Sequence, residues 1–244
     1  MMLVSKNSDL TGLDIVKFLM AFAVIAIHCR HEGLVGASEW PLGIEWIVKM
    51  AVPFFFIASG FLLARRFDGV DIPTDEQRNI LRRRALTLFR IFGFWLLIYL
   101  PIAIYVYVGD GTIWWKAAAG YVYKVLTGGH SLWAWQLWFI YSMAFVFLLY
   151  SITLLSKRTV IALFVFFIML SLINSAFVQY GIQSLKWVYV LTHSMLGGGE
   201  CLTAGILFYS FQKQINRLFI ALILSMASFI LYVYELPIFA LLGG

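Results

Sequence analysis

Seven apolar runs of about 20 residues constrain this chain more than any other feature. They lie at about 13–31, 45–64, 85–108, 133–155, 159–178, 187–209 and 218–242. A bilayer core is roughly 30 Å thick and a helix rises about 1.5 Å per residue, so a run of this length can cross it. In lipid only helices and closed barrels satisfy their own backbone. The runs lack the alternation of a barrel strand, so the expected fold class is all-α. Composition agrees, because only 12% of the 244 residues are charged while 62% are hydrophobic. A soluble domain carries about twice that charge. The expectation is a polytopic transmembrane helix bundle of about seven spans, forming a single integral-membrane domain over residues 1–244.

The net charge of +6 matters through its placement and is no sign of a nucleic-acid partner. Basic residues favour the cytoplasmic loops. With the N-terminus inside, the inner segments hold Lys6, Arg65, Arg66, Arg78, Arg82, Arg83, Arg84, Lys157, Arg158, Lys213 and Arg217. The outer segments hold Arg30, Lys116, Lys124 and Lys186. A cytoplasmic N-terminus is therefore expected. The first run has no small-residue cleavage site and contains Lys17, so it reads as a span and not as a signal peptide. Cys29 and Cys201 form no spacing motif and imply no disulfide framework.

Within the first run, LDIVKFLMAFAVIAIHCRH, Lys17 and His28 are eleven residues apart. At about 100° per residue they share a face, separated by roughly 16 Å along the axis. Asp14 stands one turn before Lys17 on nearly the same stripe. Ionisable groups inside spans usually face a bundle interior or an aqueous cavity. Such a stripe suits a translocation path or a two-ended active site. Spacing also fits a lysine that snorkels to headgroups and a histidine in the outer interface.

The second run, VPFFFIASGFLLARR, is interrupted by Ser59 and Gly60 and ends on Arg65 and Arg66. Small residues there fit either a pocket or close helix packing. After a polar segment in which Thr74, Asp75 and Glu76 read as a helix start comes RNILRRRALTLFR, with Arg82, Arg83, Arg84 and Arg90. Guanidinium forks bind phosphate, so the cluster fits a phosphate-bearing ligand at the cytoplasmic mouth or anionic headgroups. Between two glycine breaks, Trp114, Trp115, Tyr121 and Tyr123 suit an interfacial helix. Glu200 is an acid within the sixth run beside three glycines. His31 and His130 have no ligand partners at metal spacing, so no metal site is expected. Phosphate-binding and dinucleotide glycine motifs and the Gly-x-Ser-x-Gly elbow do not occur.

Taken together, these residues resemble the acyltransferase 3 family, bacterial membrane acyltransferases that include O-acetylases of surface polysaccharides. The resemblance rests on Lys17-x10-His28 after Leu13-Asp14, on the phrase Val52 to Arg66, and on the arginine-rich opening of the third run. A weaker match is GGHSLWAWQLWFIYSMAF, which contains Trp138. The resemblance covers about residues 9–210. It implies acyl-CoA, usually acetyl-CoA, as a cytoplasmic co-substrate with no bound cofactor. It also implies a glycan or lipid-linked saccharide acceptor outside, and a multi-pass protein of the bacterial cytoplasmic membrane. By position His28 would be the catalytic histidine, as general base or acyl carrier, and Lys17 its basic partner. Asp14 joins this group from the stripe. Arg65, Arg66, Arg82, Arg83 and Arg84, with Arg90 beyond them, fall where the donor phosphates would bind. Ser59, Gly60, Trp138 and Glu200 are the remaining pocket candidates. Gln136 and His193 depart from the residues many relatives have there. The family usually has about ten spans, so the chain is expected to be C-terminally short. A transporter or flippase that uses the Lys17–His28 stripe, or an inactive remnant, is the alternative.

Overall fold

In the computed structural model, residues 11–31, 42–67, 74–129, 134, 136–153, 156–179 and 195–211 are described, and every regular element among them is a helix. The helices are α1 (Thr11–His31), α2 (Leu42–Lys49), α3 (Ala51–Phe67) and α4 (Thr74–Gly109), then α5 (Trp114–Gly128), α6 (Leu137–Thr153), α7 (Lys157–Gln179) and α8 (Gly199–Phe211). Thr11–Cys29 and Thr74–Gly109 are long and apolar enough to cross a membrane. Leu137–Thr153 is a shorter apolar helix. The run at 218–242, the first part of the run at 187–209, and His130 and His193 lie outside the described residues.

Three runs depart from the simple spans expected of them. The second divides at Met50 into α2 and α3. Pro53 explains the division: it has no N–H for the Lys49 carbonyl, and its ring would strike that carbonyl in a continuous helix. Phe54 N instead donates to Met50 O at 2.9 Å as α3 begins. The third run belongs to a longer helix. α4 starts at Thr74 with Asp75 and Glu76 in its first turn and continues for 36 residues, so the arginine cluster and the apolar stretch form one rod. Acids in the first turn complement the positive end of the helix dipole. The sixth run is broken, and α8 begins only at Gly199. Gly198 has φ +80°, a left-handed conformation that favours glycine. The Ser142 hydroxyl donates to the Gly197 carbonyl at this break, which supplies the polar partner that irregular backbone needs in an apolar medium.

Helix directions follow from the contacts. α3, α6 and α8 run parallel. Phe56 meets Phe139 with ring centroids 4.6 Å apart and lies against Gly198, while Phe61 meets Tyr209 further along at 5.2 Å. Ser142 reaches Gly197, and Tyr150 Oη lies 2.7 Å from Thr203 Oγ1. α4 runs the other way: Phe92 stacks near Tyr141 at 5.1 Å, and Phe89 near Phe145 at 5.2 Å. α7 begins so soon after α6 that the chain must reverse. The bundle thus alternates in direction as successive spans would.

The closest approach is between α3 and α8. A methyl group on Gly60 would collide with the Leu202 carbonyl, and one on Gly205 with the Ile57 carbonyl. Where lipid is as apolar as the side chains, van der Waals fit and interhelical hydrogen bonds drive helix association, and small residues permit the fit. Phe56, Leu63, Leu81, Val146, Tyr150, Phe167 and Leu202 fill the main core beside this crossing. α5 also differs from a helix that only lies along the periphery. Its Val125 packs against the buried cluster of Phe92, Leu137 and Tyr141, and the Tyr141 hydroxyl donates to the Leu126 carbonyl at 2.7 Å.

Candidate functional site

α1 has two distinct faces. Ile15, Phe18, Leu19, Phe22 and Ile25 are exposed. Ala23 is buried with Val48 and Ala51 of α2 and α3, and Met20, Val24, Ala26 and Ile27 pack around them. Lys17 and His28 belong to the less exposed side of the helix. Spacing places them on one side of the helix, where both are part-buried at the edge of the face that packs on α2 and α3. Lys17 Nζ lies 2.5 Å from Asp14 Oδ1, one turn earlier. The adjacent carboxylate accepts a charge-assisted hydrogen bond from the ammonium. Lys17 side-chain exposure is 34%, against 65% for Asp14, so the acid is the more solvated partner.

The donor-side arginines separate into different environments. Arg65 and Arg66 occupy the last turn of α3. Leu63 just before them and Leu81 and Ala85 of α4 share the main core, which joins the end of α3 to the first part of α4. Arg84 is half-buried there, just before the apolar stretch of α4. Burial, and after it the nearby Arg66 charge, hold the Arg84 guanidinium below its ordinary pKa. Neither Arg66 nor Arg84 forms an ion pair among the described residues. Arg66, exposed at the end of α3, is thus near enough for its charge to act on Arg84 of another helix. Like charges brought near one another from two helices favour an anion beside them. Arg82, Arg83 and Arg90 are exposed. Arg78 pairs with Asp75 at 3.3 Å within its own helix.

The pocket candidates also occupy different places. Gly60 is the contact point of α3 with α8. Ser59, beside it, is half-buried. Trp138 packs on Phe56, ring centroids 6.2 Å apart. Glu200 stands in the first turn of α8, where its carboxylate accepts hydrogen bonds from the Ser171 hydroxyl of α7 and from the backbone N–H groups of Gly198 and Glu200 itself. These bonds hold Glu200 toward α7, whereas α1 packs on α2 and α3. Among the described residues no group of three or more His, Cys, Asp or Glu could hold a metal.

Several polar residues with structural work escaped the sequence reading. Ser142, Thr203 and Ser151 are buried, and Gln136 Nε2 donates to Tyr99 Oη at 2.6 Å. Hydroxyls inside otherwise apolar helices were the available signal, since a buried hydroxyl in lipid requires a partner. Ser142 meets Gly197 and Thr203 meets Tyr150 across elements, which cannot be read from one run, whereas Ser151 donates to the Leu148 carbonyl of its own helix.

A family model described as an acyltransferase domain matches residues 10–243. An amino-acid racemase from Enterococcus faecalis is 31% identical over 101 residues, which make up 41% of this chain and 13% of that protein. The likeness thus covers a small part of a much longer protein. No solved structure matches the chain.

Proposed function

The chain belongs to the acyltransferase 3 family, whose acyltransferase domain spans residues 10–243, and on that premise we propose that it transfers an acyl group, acetyl by family resemblance, from cytoplasmic acyl-CoA to a hydroxyl of a surface glycan. Its place is the bacterial cytoplasmic membrane, as a multi-pass protein of about seven spans with the N-terminus inside. The observation that supports the reading is that Lys17 and His28 are both part-buried on one side of α1, at the edge of the face that packs on α2 and α3.

Arg66 and Arg84 receive the CoA phosphates at the end where α3 stops and the apolar part of α4 starts. Phosphate between them satisfies both guanidiniums and relieves their repulsion. The long pantetheine arm then carries the thioester inward along the bundle. Lys17, neutralised by Asp14, lies toward this donor side, and His28 lies roughly 16 Å further along α1. A sugar hydroxyl is a weak nucleophile at neutral pH. His28 as a neutral imidazole takes its proton as the oxygen attacks the thioester carbonyl, and CoA leaves as the thiol once it regains a proton. In the covalent variant the imidazole nitrogen first accepts the acyl group and then passes it to the hydroxyl.

The test is acylation of surface glycans, read by mass spectrometry in cells with no protein, the wild type or His28→Ala. Loss of acyl groups in the first and third, with His28→Ala present in the membrane at the wild-type level, is the expected result. Unchanged acylation on deletion refutes the reading. Labelled acyl-CoA without acceptor separates the two routes, because only the covalent one leaves label on the protein.

A further inference from the structure

The helix α5 carries an aromatic and basic surface that suits the membrane interface, yet its contacts run down the side of α4. Its first turn follows the exposed Asp110–Gly111 turn, where Gly111 has φ +64° and Thr112 N donates to Tyr107 O at 3.2 Å. From there the chain turns back. Gly120 lies beside the Tyr107 hydroxyl. The Tyr121 hydroxyl donates to the Leu96 carbonyl at 3.3 Å. Val125 shares a cluster with Phe92, Leu96 and Tyr99, and Gly129, with φ +64°, sits tightly on the Tyr141 ring. Leu96 precedes Gly109, the last residue of α4, by roughly 20 Å of helix. Half of a hydrocarbon core is about 15 Å.

We propose that α5 is a re-entrant helix: it enters the membrane from the outer side at Trp114 and ends near half depth at Gly129, with the acyl chains of the outer leaflet covering its outward face. The exposed residues fit that occupant. Val122 and Leu126 on α5 and Leu97 and Ile104 on the adjoining α4 are large, apolar and uncovered by protein. The two lysines fit it as well. Lys116 is at the surface end and lies over the Trp115 ring at 5.5 Å. Lys124 starts deeper but carries its ammonium back toward the outer end of α4, over the Tyr107 ring at 6.0 Å. A lysine below the interface must reach upward in this way to keep its charge. A helix flat on the surface would place Leu126 and Trp114 at one depth, without the staggered contacts to Tyr107, Leu96 and Phe92.

Spin labels on Trp114→Cys, Val122→Cys and Leu126→Cys test the proposal. The full chain is reconstituted, with Cys29 and Cys201 replaced by alanine, in phosphatidylcholine–phosphatidylglycerol vesicles. Leu97→Cys on α4 serves as the deep reference. Accessibility to oxygen should rise, and accessibility to a polar nickel complex fall, from 114 through 122 to 126, with Leu126→Cys approaching Leu97→Cys. Equal, surface-like accessibility at 114, 122 and 126 overturns it. If Leu126→Cys fails to fold, the 114 and 122 labels still carry the comparison. If the cysteine-free chain fails to fold, bromines at graded depths on the lipid chains quench tryptophans introduced at 122 and 126 of the native chain, and unequal depth of the two from Trp114 again decides.

Discussion

At the residue scale, Lys17 and Arg84 show two ways of keeping a cation in an apolar setting. Lys17 has its carboxylate one helical turn away at 2.5 Å, a contact set by spacing alone. Arg84 is half-buried and within reach of the Arg66 charge from another helix. The two should respond differently to substitution. Lys17→Arg preserves the charge beside Asp14 and should retain most transfer. Lys17→Met should lower it at least tenfold, which corresponds to about 1.4 kcal/mol of barrier; both are read as turnover of labelled acyl-CoA in membranes. Arg66→Gln and Arg84→Gln should each weaken CoA binding about tenfold, the worth of one charge-assisted contact, while unfolding of the ligand-free protein shifts to the same or a higher temperature. Titration calorimetry and a thermal melt in detergent measure the two effects. A fall in both would make these arginines structural.

At the element scale, the α3–α8 crossing depends on Gly60 and Gly205, each of which lies against the partner backbone. Backbone cannot withdraw as the end of a flexible side chain can, so Gly60→Val and Gly205→Val should push the helices apart. A lower melting temperature and loss of transfer should appear together, although neither residue carries chemistry. Nearby, Tyr150 and Thr203 join α6 to α8 by one hydrogen bond of 2.7 Å. Tyr150→Phe should cost about 1 kcal/mol, within the range of interhelical bonds in membranes, measured by unfolding in mixed micelles. Sequence reading of Ser59 and Gly60 left pocket and packing both open. It could not choose, because the partner that makes Gly60 indispensable, the Leu202 carbonyl, lies in a distant run.

At the scale of the whole molecule, helices alternate in direction, with the arginine-bearing end of α3 and the start of α4 at one side. In the proposed orientation, argued from the charge bias of the loops, that side faces the cytoplasm. Two exposed polar sites test this orientation. Asp110→Cys, in the turn between α4 and α5, should react with an impermeant maleimide added to intact spheroplasts. Asn79→Cys, near the start of α4, should react only after permeabilisation. The reverse pattern would invert the protein and with it the placement of the donor site.

The all-helical class, the shared face of Lys17 and His28 and the acidic start of α4 were legible in the chain, because each depends on neighbours within one or a few helical turns. The division at Met50 was legible in principle from Pro53 but was obscured by uniform hydrophobicity. Tertiary structure alone decided which face of α1 packs on α2 and α3, that the Arg66 charge reaches Arg84, that Glu200 binds Ser171 and that α5 folds back along α4. Nearly every face of these helices is apolar, so hydrophobic periodicity leaves their rotation and partners undetermined. Close backbone contact at glycines and a few buried hydroxyls supply the missing information, and both act between runs distant in sequence.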